Sequence, residues 1–193
     1  LSLVGSEMCI RDRPDVIVFG KAITNGLNPL SGIWAKEALI NPKTFPVGST
    51  HSTFNANPMG TGVALEVMRM LGERDYGAAI MEKGRRFLAG LQELKKRHKI
   101  IGEVDGLGMA LRIEICEPHD SFTPSKRIVD LMVDESLKGD LDVNGRKYGV
   151  VLDIGGYYKN VITLAPSLEM SNAEIDLALI LLDKLMTRVT KTL

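Results

Sequence analysis

The 193-residue sequence lacks the features that mark several large classes of protein. No apolar run approaches the length of a membrane-spanning helix, so we expect no membrane partner. Lysine plus arginine and aspartate plus glutamate each number 24, so no excess of basic charge points to nucleic acid or an anionic membrane surface. Only two cysteines occur, Cys9 and Cys116, and they form neither a disulfide framework nor a metal motif. A globular, cytoplasmic protein of one domain or slightly more, with no metal site, is the resulting expectation.

The first residues, Leu1 to Arg13, do not look like the start of a natural chain. Position 1 is not methionine, and the apolar segment 1–4 is too short for a secretory signal and has no basic region ahead of it. We interpret residues 1–13 as a non-native tail, and we expect Pro14 to be the first residue retained from a longer natural chain that was cut just before it. The alternative is a genuine N-terminal tail.

The most informative stretch runs from Pro14 to Gly32. The apolar run Val16-Ile17-Val18-Phe19 predicts a strand buried on both faces, although its length alone also allows a buried helix. Gly20 ends the run, Lys21 follows it, and a turn-rich loop comes next. A lysine at the carboxyl end of such a strand is placed where open α/β sheets bind ligands, and its amine can attack a carbonyl compound. The alternative is a solvated charge at a sheet edge.

The first stretch can be interpreted only together with a second one further along the chain. The second stretch is His51-Ser52-Thr53-Phe54-Asn55-Ala56-Asn57-Pro58. In their order and separation the two elements resemble those of the class III (ornithine/4-aminobutyrate type) aminotransferases. These enzymes depend on pyridoxal 5'-phosphate (PLP) and have fold type I. The resemblance covers nearly the whole chain from Pro14 onward and corresponds to the C-terminal half of the family.

The resemblance implies an α/β fold, specifically a fragment of the PLP-dependent transferase fold type I. We expect residues 14–57 to form the C-terminal part of the PLP-binding large domain. Residues 58–98 would be connecting helices, and residues 99–193 a small α+β domain. Without most of the large-domain sheet, the face around Val16 to Phe19 would be exposed and the chain poorly soluble.

The resemblance also assigns roles to individual residues. Lys21 would bind PLP covalently and, once released, move a proton between the substrate carbon and the cofactor. Thr53, with its neighbour Ser52, would bind the cofactor phosphate of the neighbouring subunit, so the active site would lie at a homodimer interface. His51 is not expected to take part. The reactants would be a small-molecule amino donor and an oxo-acid or aldehyde acceptor.

Two groups that the family needs are not visible in this sequence. They are the acid that keeps the pyridine nitrogen protonated and the glycine-rich helix N-terminus that holds the phosphate. Both lie upstream of the lysine in the family, so we expect the chain as written to have little or no transaminase activity. A non-catalytic fold-type-I module is one alternative. Another PLP reaction on the same fold, catalysed by a racemase, mutase or phospholyase, is a second.

Thr163 departs from the family pattern. Many class III enzymes have an arginine at the equivalent position, where it grips a substrate carboxylate by a bidentate pair. Threonine cannot do this, so the usual clamp is absent or supplied from elsewhere. An ordinary α-amino-acid clamp is therefore in doubt, and ω-amino compounds remain candidate donors. A slip of the alignment by one or two residues, with Lys159 nearby, is the alternative.

The remaining elements follow from periodicity and capping signals. We predict a helix from Pro58 to Gly72 capped by Asn57, helices over 76–98, 124–137 and 171–190, and a capping box of Ser171 and Glu174. Strands are predicted over 31–35, 100–104, 109–115, 148–154 and 160–164. Residues 117–123 are predicted as loop, and residues 138–147 as a polar insertion with an Asn144-Gly145 turn and no assigned role.

Overall fold

A computed structural model describes residues 14–49 and 52–193 of the chain. The predicted non-native tail, residues 1–13, and His51 lie outside the described residues. The chain divides into two compact units, Leu1–Tyr76 and Gly77–Leu193.

The N-terminal unit contains a β-hairpin and one long helix. Its elements are strand β1 (Val16–Phe19), a 3-10 turn (Lys21–Thr24), strand β2 (Gly32–Ala35), a second 3-10 turn (Glu37–Leu39) and helix α1 (Pro58–Glu73). The two strands pair antiparallel with Phe19 opposite Gly32, which confirms the predicted return strand. Helix α1 passes through Gly72, so the predicted end at that glycine is wrong by one residue.

The prediction that β1 is buried on both faces is wrong for the described chain. Val18 is 75% exposed and Val16 47%, and Ile33 and Trp34 on β2 are also open to solvent. Within the described residues β1 pairs with β2 alone, so nothing covers its other edge. Exposure of this face is what the sequence predicts for a strand that lacks most of its sheet.

The C-terminal unit is an antiparallel sheet with helices packed on one face. Helices α2 (Tyr76–Arg97), α3 (Lys126–Leu137) and α4 (Asn172–Thr190) accompany strands β3 (Ile101–Leu107), β4 (Ala110–Glu117), β5 (Asp120–Pro124), β6 (Leu141–Val143), β7 (Arg146–Tyr148), β8 (Asp153–Gly155) and β9 (Val161–Leu164). The main sheet has the order β3-β4-β9-β8, with β5 beside β4, and β6 and β7 form a separate hairpin.

Strand β4 lies at the centre of this unit. Leu111, Ile113 and Ile115 point into the core, and none is more than 2% exposed. Their neighbours Arg112 and Glu114 alternate to the other face of the sheet, as period-two geometry requires. The buried cluster that receives β4 draws on all three helices and includes Phe87, Leu91, Leu94, Ile128, Met132, Ile162, Ile175, Leu182, Leu185 and Met186.

Two sequence predictions in this unit are wrong. The predicted loop 117–123 contains most of β5, which a short turn joins to β4. There the Asp120 carboxylate accepts hydrogen bonds from the Phe122 amide (2.9 Å) and the Thr123 hydroxyl (2.6 Å). The predicted strand 148–154 is instead two strand ends separated by irregular chain. The middle of this segment is hydrogen-bonded to the end of α3, where the Val150 amide donates to the Ser136 carbonyl at 3.0 Å.

Local end signals were predicted correctly. The Asn57 side chain accepts from the Met59 amide at the start of α1, and Ser171 with Glu174 forms a complete capping box on α4. Asn144 and Gly145 both have positive φ, 54° and 80°, which gives the polar insertion a tight hairpin turn. The sequence missed the Ser125 cap of α3, because the helix was predicted to start at Pro124, two residues before its observed start at Lys126.

Close backbone approach explains Gly84 in α2. A Cβ at this position would lie 2.1 Å from the Gly108 carbonyl oxygen, in the turn between β3 and β4. We expect Gly84→Ala to lower the free energy of unfolding by about 2 kcal/mol, because rigid backbone must move. The same substitution at Gly72, where no atom lies within 4 Å of the new Cβ, should instead be neutral or stabilising. Urea unfolding followed by circular dichroism tests this, and equal effects at both sites would contradict it.

Asp183 on α4 joins the end of α2 to the core. It accepts hydrogen bonds from His98 Nε2 (2.6 Å) and Arg97 Nη1 (2.7 Å), and the His98 side chain is only 8% exposed. Burial acts to raise the pKa of Asp183, but the bonds from His98 and Arg97 outweigh it and lower the pKa. Because the folded pKa lies below the unfolded one, this stabilisation is present above pH 4 and is lost as the pH falls through the folded value.

We therefore expect Asp183→Asn to reduce stability at pH 7 and to flatten its decline below pH 4. The control Asp130→Asn removes only the exposed i,i+4 partner of Lys126 and should do neither to the same extent. Thermal melts from pH 7 to pH 3 measure both. An acid-dependent loss of the same size in Asp183→Asn and the unmodified chain would refute the assignment.

Candidate active site

The turn after β1 fixes the backbone of Lys21. Gly20 is extended, and Lys21 then opens the 3-10 turn with φ of 50°, a left-handed value that is uncommon outside glycine. Asn25 ends the turn with the same φ, and its amide donates to the Ala22 carbonyl at 2.9 Å. Lys21 is therefore held in a strained conformation directly behind the strand.

A buried hydroxyl and one glycine hold this turn in place. Thr24 is 1% exposed, and its hydroxyl donates to the Asn28 carbonyl oxygen. The Asn28 side chain in turn lies against α1, where a Cβ on Gly60 would be 2.8 Å from Asn28 Oδ1. The sequence analysis missed Thr24 and the Asn28–Gly60 contact. In the sequence, the small residue Gly60 in the first turn of α1 is the one signal that could have indicated these two features.

The Lys21 side chain is exposed, and its amine has no hydrogen bond or ion pair with any residue that the structure describes. The nearby Lys36 differs in this respect, because its amine pairs with Asp15 at the open end of the hairpin. An amine without a carboxylate partner remains available to a carbonyl compound.

The segment that precedes α1 presents the predicted phosphate-binding residues. Ser52 and Thr53 are exposed in a turn closed by a hydrogen bond from the Asn55 amide to the Ser52 carbonyl at 3.1 Å. Ala56 has φ of 52°, and Asn57 then caps the helix. Neither side-chain hydroxyl bonds to another described residue, so both can donate to a ligand. No hydrogen bond between described residues joins Lys21 to Ser52 or Thr53.

Two features are absent from residues 14–49 and 52–193. There, no group of three or more histidine, cysteine, aspartate or glutamate side chains is arranged to hold a metal ion. Over the same residues, no helix has the length and apolar character needed to cross a bilayer. Cys116 lies buried beside β3, where burial and the surrounding carboxylates raise the pKa of its thiol, so it is a poor nucleophile.

Comparison with known proteins identifies the family. The family described as aminotransferase class-III matches residues 6–186, a range that starts inside the predicted non-native tail. The chain therefore belongs to the class III aminotransferases, a PLP-dependent family.

Curated relatives include 5-aminovalerate aminotransferase DavT of Pseudomonas aeruginosa, which is 29% identical over 88% of this chain and 37% of its own length. 4-Aminobutyrate aminotransferase GabT of Escherichia coli is 27% identical over 84% of this chain and 35% of its own. An alanine/serine racemase of Pyrococcus horikoshii is 26% identical over 89% and 33%. The chain thus spans little more than a third of the length of the curated relatives it matches.

Solved structures agree on the fold. A transaminase from the marine bacterium Virgibacillus superposes with a TM-score of 0.77 at 23% identity, over 94% of this chain and 40% of that one. Ornithine delta-aminotransferase of Plasmodium falciparum gives 0.75 at 22% identity, over 94% and 42%. The chain has the fold of the PLP-dependent transaminases, which confirms the α/β fold-type-I fragment predicted from sequence.

The backbone strain at Lys21 gives a prediction that needs no cofactor. Lys21→Gly and Lys21→Ala both remove the amine, but only alanine keeps a Cβ at φ of 50°. We expect the glycine variant to be the more stable by about 1 kcal/mol. At the neighbouring Ala22, which lacks a positive φ, Ala22→Gly should be destabilising. Thermal unfolding separates the two, and a glycine penalty at both positions would contradict the strain.

Proposed function

We propose that this chain is the C-terminal part of a PLP-dependent aminotransferase. The enzyme transfers an amino group from an amino acid or ω-amino donor to a 2-oxo acid or aldehyde acceptor. The observation that carries the proposal is the exposed amine of Lys21, which has no ion pair with any described residue. It is held in a strained turn directly after a strand in a chain of this family. The relatives named for 5-aminovalerate and 4-aminobutyrate, both ω-amino acids, support the donor class.

Each proposed residue has a specific task. Lys21 would bind PLP through its amine with loss of water. Once an amino donor has displaced it, the free amine would move a proton between the substrate carbon and the cofactor. The Thr53 hydroxyl donates a hydrogen bond to the cofactor phosphate, with Ser52 beside it. When bound, PLP supplies an electron sink for the negative charge that develops on the substrate carbon.

The turn geometry supports the task of Lys21. The hydrogen bond from Thr24 and the Asn28–Gly60 contact hold the backbone around Lys21. The amine therefore moves only by rotation about the bonds of its own side chain. Restricting the carrier in this way keeps the amine near the atom to which it delivers the proton.

The assembly and location are part of the proposal. We place Thr53 of one subunit on the phosphate of the other, which makes the enzyme a homodimer with the active site at the interface. It would work in the cytoplasm. By itself the chain would have little or no activity, because the acid for the pyridine nitrogen and the phosphate-binding helix are expected upstream of Lys21.

A different PLP reaction is the second candidate. One relative is named an alanine/serine racemase, and another, from Caenorhabditis elegans, an ethanolamine-phosphate phospho-lyase homologue. Racemisation and elimination would use Lys21 in the same way and differ in where the proton returns or which group leaves. Assaying an isolated donor without an acceptor, for inversion or phosphate release, distinguishes them from amino transfer.

The decisive variant is Lys21→Ala in the intact gene product. We expect amino transfer to fall by about 10³-fold or more, because both the covalent carrier and the proton-transfer group are lost. Lys36→Ala removes a lysine whose amine is already paired and should leave the rate within a factor of two or so. The isolated chain supplemented with PLP is the second comparison. Turnover by Lys21→Ala, or by the isolated chain at an enzymatic rate, would contradict the respective part of the proposal.

A further inference from the structure

The sequence contains two Asn-Gly pairs, and both lie in exposed turns. They are Asn25-Gly26, in the turn after Lys21, and Asn144-Gly145, in the β6–β7 hairpin. In such a pair the backbone nitrogen of the glycine can attack the side-chain carbonyl carbon of the asparagine, because glycine has no side chain to obstruct the approach. Asparagine is accordingly among the thermolabile residues. Each pair is therefore a candidate site of spontaneous deamidation.

The two glycine nitrogens differ in their hydrogen bonds. The Gly145 amide donates to Asp142 Oδ1 at 3.2 Å, and this bond must break before the nitrogen can approach the side chain of Asn144. The Gly26 amide makes no hydrogen bond with any residue that the structure describes, and the Asn25 side chain makes none there either. The attacking nitrogen is thus unoccupied at the first pair and bound at the second.

The surroundings of the two turns differ as well. Val143, directly before Asn144, is 9% exposed, and it pairs with Arg146 across the hairpin. Leu27, directly after Gly26, is instead 75% exposed. A turn with few buried neighbours opens at a lower free energy than one anchored in a core. The turn that contains Asn25 should therefore open more often than the hairpin turn.

The closed turn protects Asn25. With φ of 50° and ψ of 32°, the side chain of Asn25 and the Gly26 nitrogen lie on opposite sides of the Cα–C bond, so the two cannot react. Two hydrogen bonds maintain this arrangement, from the Leu27 amide to the Thr24 carbonyl at 3.0 Å and from the Thr24 hydroxyl to the Asn28 carbonyl. The reaction rate should consequently follow the population of the opened turn.

We propose that Asn25 is a site of spontaneous deamidation whose reaction disrupts the turn that carries Lys21. A bond forms between the Gly26 nitrogen and Asn25 Cγ, and the bond from Cγ to the side-chain nitrogen breaks. Ammonia leaves with the proton that the backbone nitrogen gives up. One water then opens the succinimide ring to aspartate or isoaspartate.

The products differ from asparagine in ways that the turn does not accommodate. Isoaspartate directs the main chain through Cβ and so adds one atom between Thr24 and Leu27, whose hydrogen bond spans the turn. Either product also places a new negative charge four residues after Lys21. Deamidation would therefore release the backbone that holds the candidate lysine.

The direct test is to age the whole chain under mildly alkaline conditions, digest it, and measure both Asn-Gly pairs by mass spectrometry. We expect Asn25 to lose its amide about fivefold or more faster than Asn144. Thr24→Val keeps the shape of the side chain but removes its hydroxyl, and it should accelerate Asn25 about fivefold and leave Asn144 unchanged. The matched control is Asp142→Ala, which frees the Gly145 amide and should accelerate Asn144 alone.

Equal rates at the two pairs in the unmodified chain would overturn the assignment. A Thr24→Val variant in which Asn25 reacts no faster would do the same, since the rate would not follow the opening of the turn. Acceleration of both pairs together in that variant would indicate general unfolding and would also contradict the proposal.

The consequence for activity rests on the proposed function, and the intact gene product tests it. Ageing should reduce amino transfer, and borohydride trapping of PLP on Lys21, in step with the modification of Asn25. Asn25→Gly has no amide to lose and accepts the positive φ, so it should retain both on ageing. An enzyme that ages with Asn25 intact, or one that is fully modified yet active, would contradict the proposal. If Asn25 reacts as expected but Lys21→Ala still transfers amino groups, the proposed function fails and the modification site stands.

Discussion

The register of β4 between β3 and β9 is the constraint on which the C-terminal unit depends. It sends Leu111, Ile113 and Ile115 into the core and leaves Arg112 and Glu114 on the polar face. Because side chains alternate along a strand, a slip of one residue would bury both charges and expose three large apolar groups.

The N-terminal unit depends on a different kind of constraint, which is local. A short turn fixes Lys21 through its own backbone hydrogen bonds, the buried Thr24 hydroxyl and the fit of Asn28 against Gly60. The hairpin behind it exposes apolar side chains on both strands. The turn therefore holds the candidate lysine even though the strand before it has a single partner among the described residues.

Sequence reasoning succeeded where the signal is local and failed where it depends on distant pairing. Asn57, Ser171 and Glu174 act through hydrogen bonds within one turn, so their roles were predictable. Strand β5 was missed because its polar, proline-ended sequence has no apolar alternation, and its pairing with β4 supplies what the sequence does not. The segment after Tyr148 has strand-like residues, yet its Val150 amide bonds to a helix end.

The candidate site shows the same contrast between local sequence signals and contacts that depend on distant pairing. Lys21, Ser52 and Thr53 came from contiguous motifs, and their roles remain predictions. The fit of Asn28 against Gly60, by contrast, depends on two segments that lie far apart in the sequence. Similarly, nothing in the sequence marks Lys21 as having a left-handed backbone, which results from the turn as a whole.

The central claim is that Lys21 is the lysine that carries PLP, and chemical trapping measures this directly. The intact gene product would be incubated with PLP, reduced with borohydride, digested and mapped by mass spectrometry. The account predicts a phosphopyridoxyl group concentrated on Lys21 and displaced from it by an amino donor added before reduction. Modification spread evenly over surface lysines such as Lys36 and Lys43, with none favouring Lys21, would contradict it.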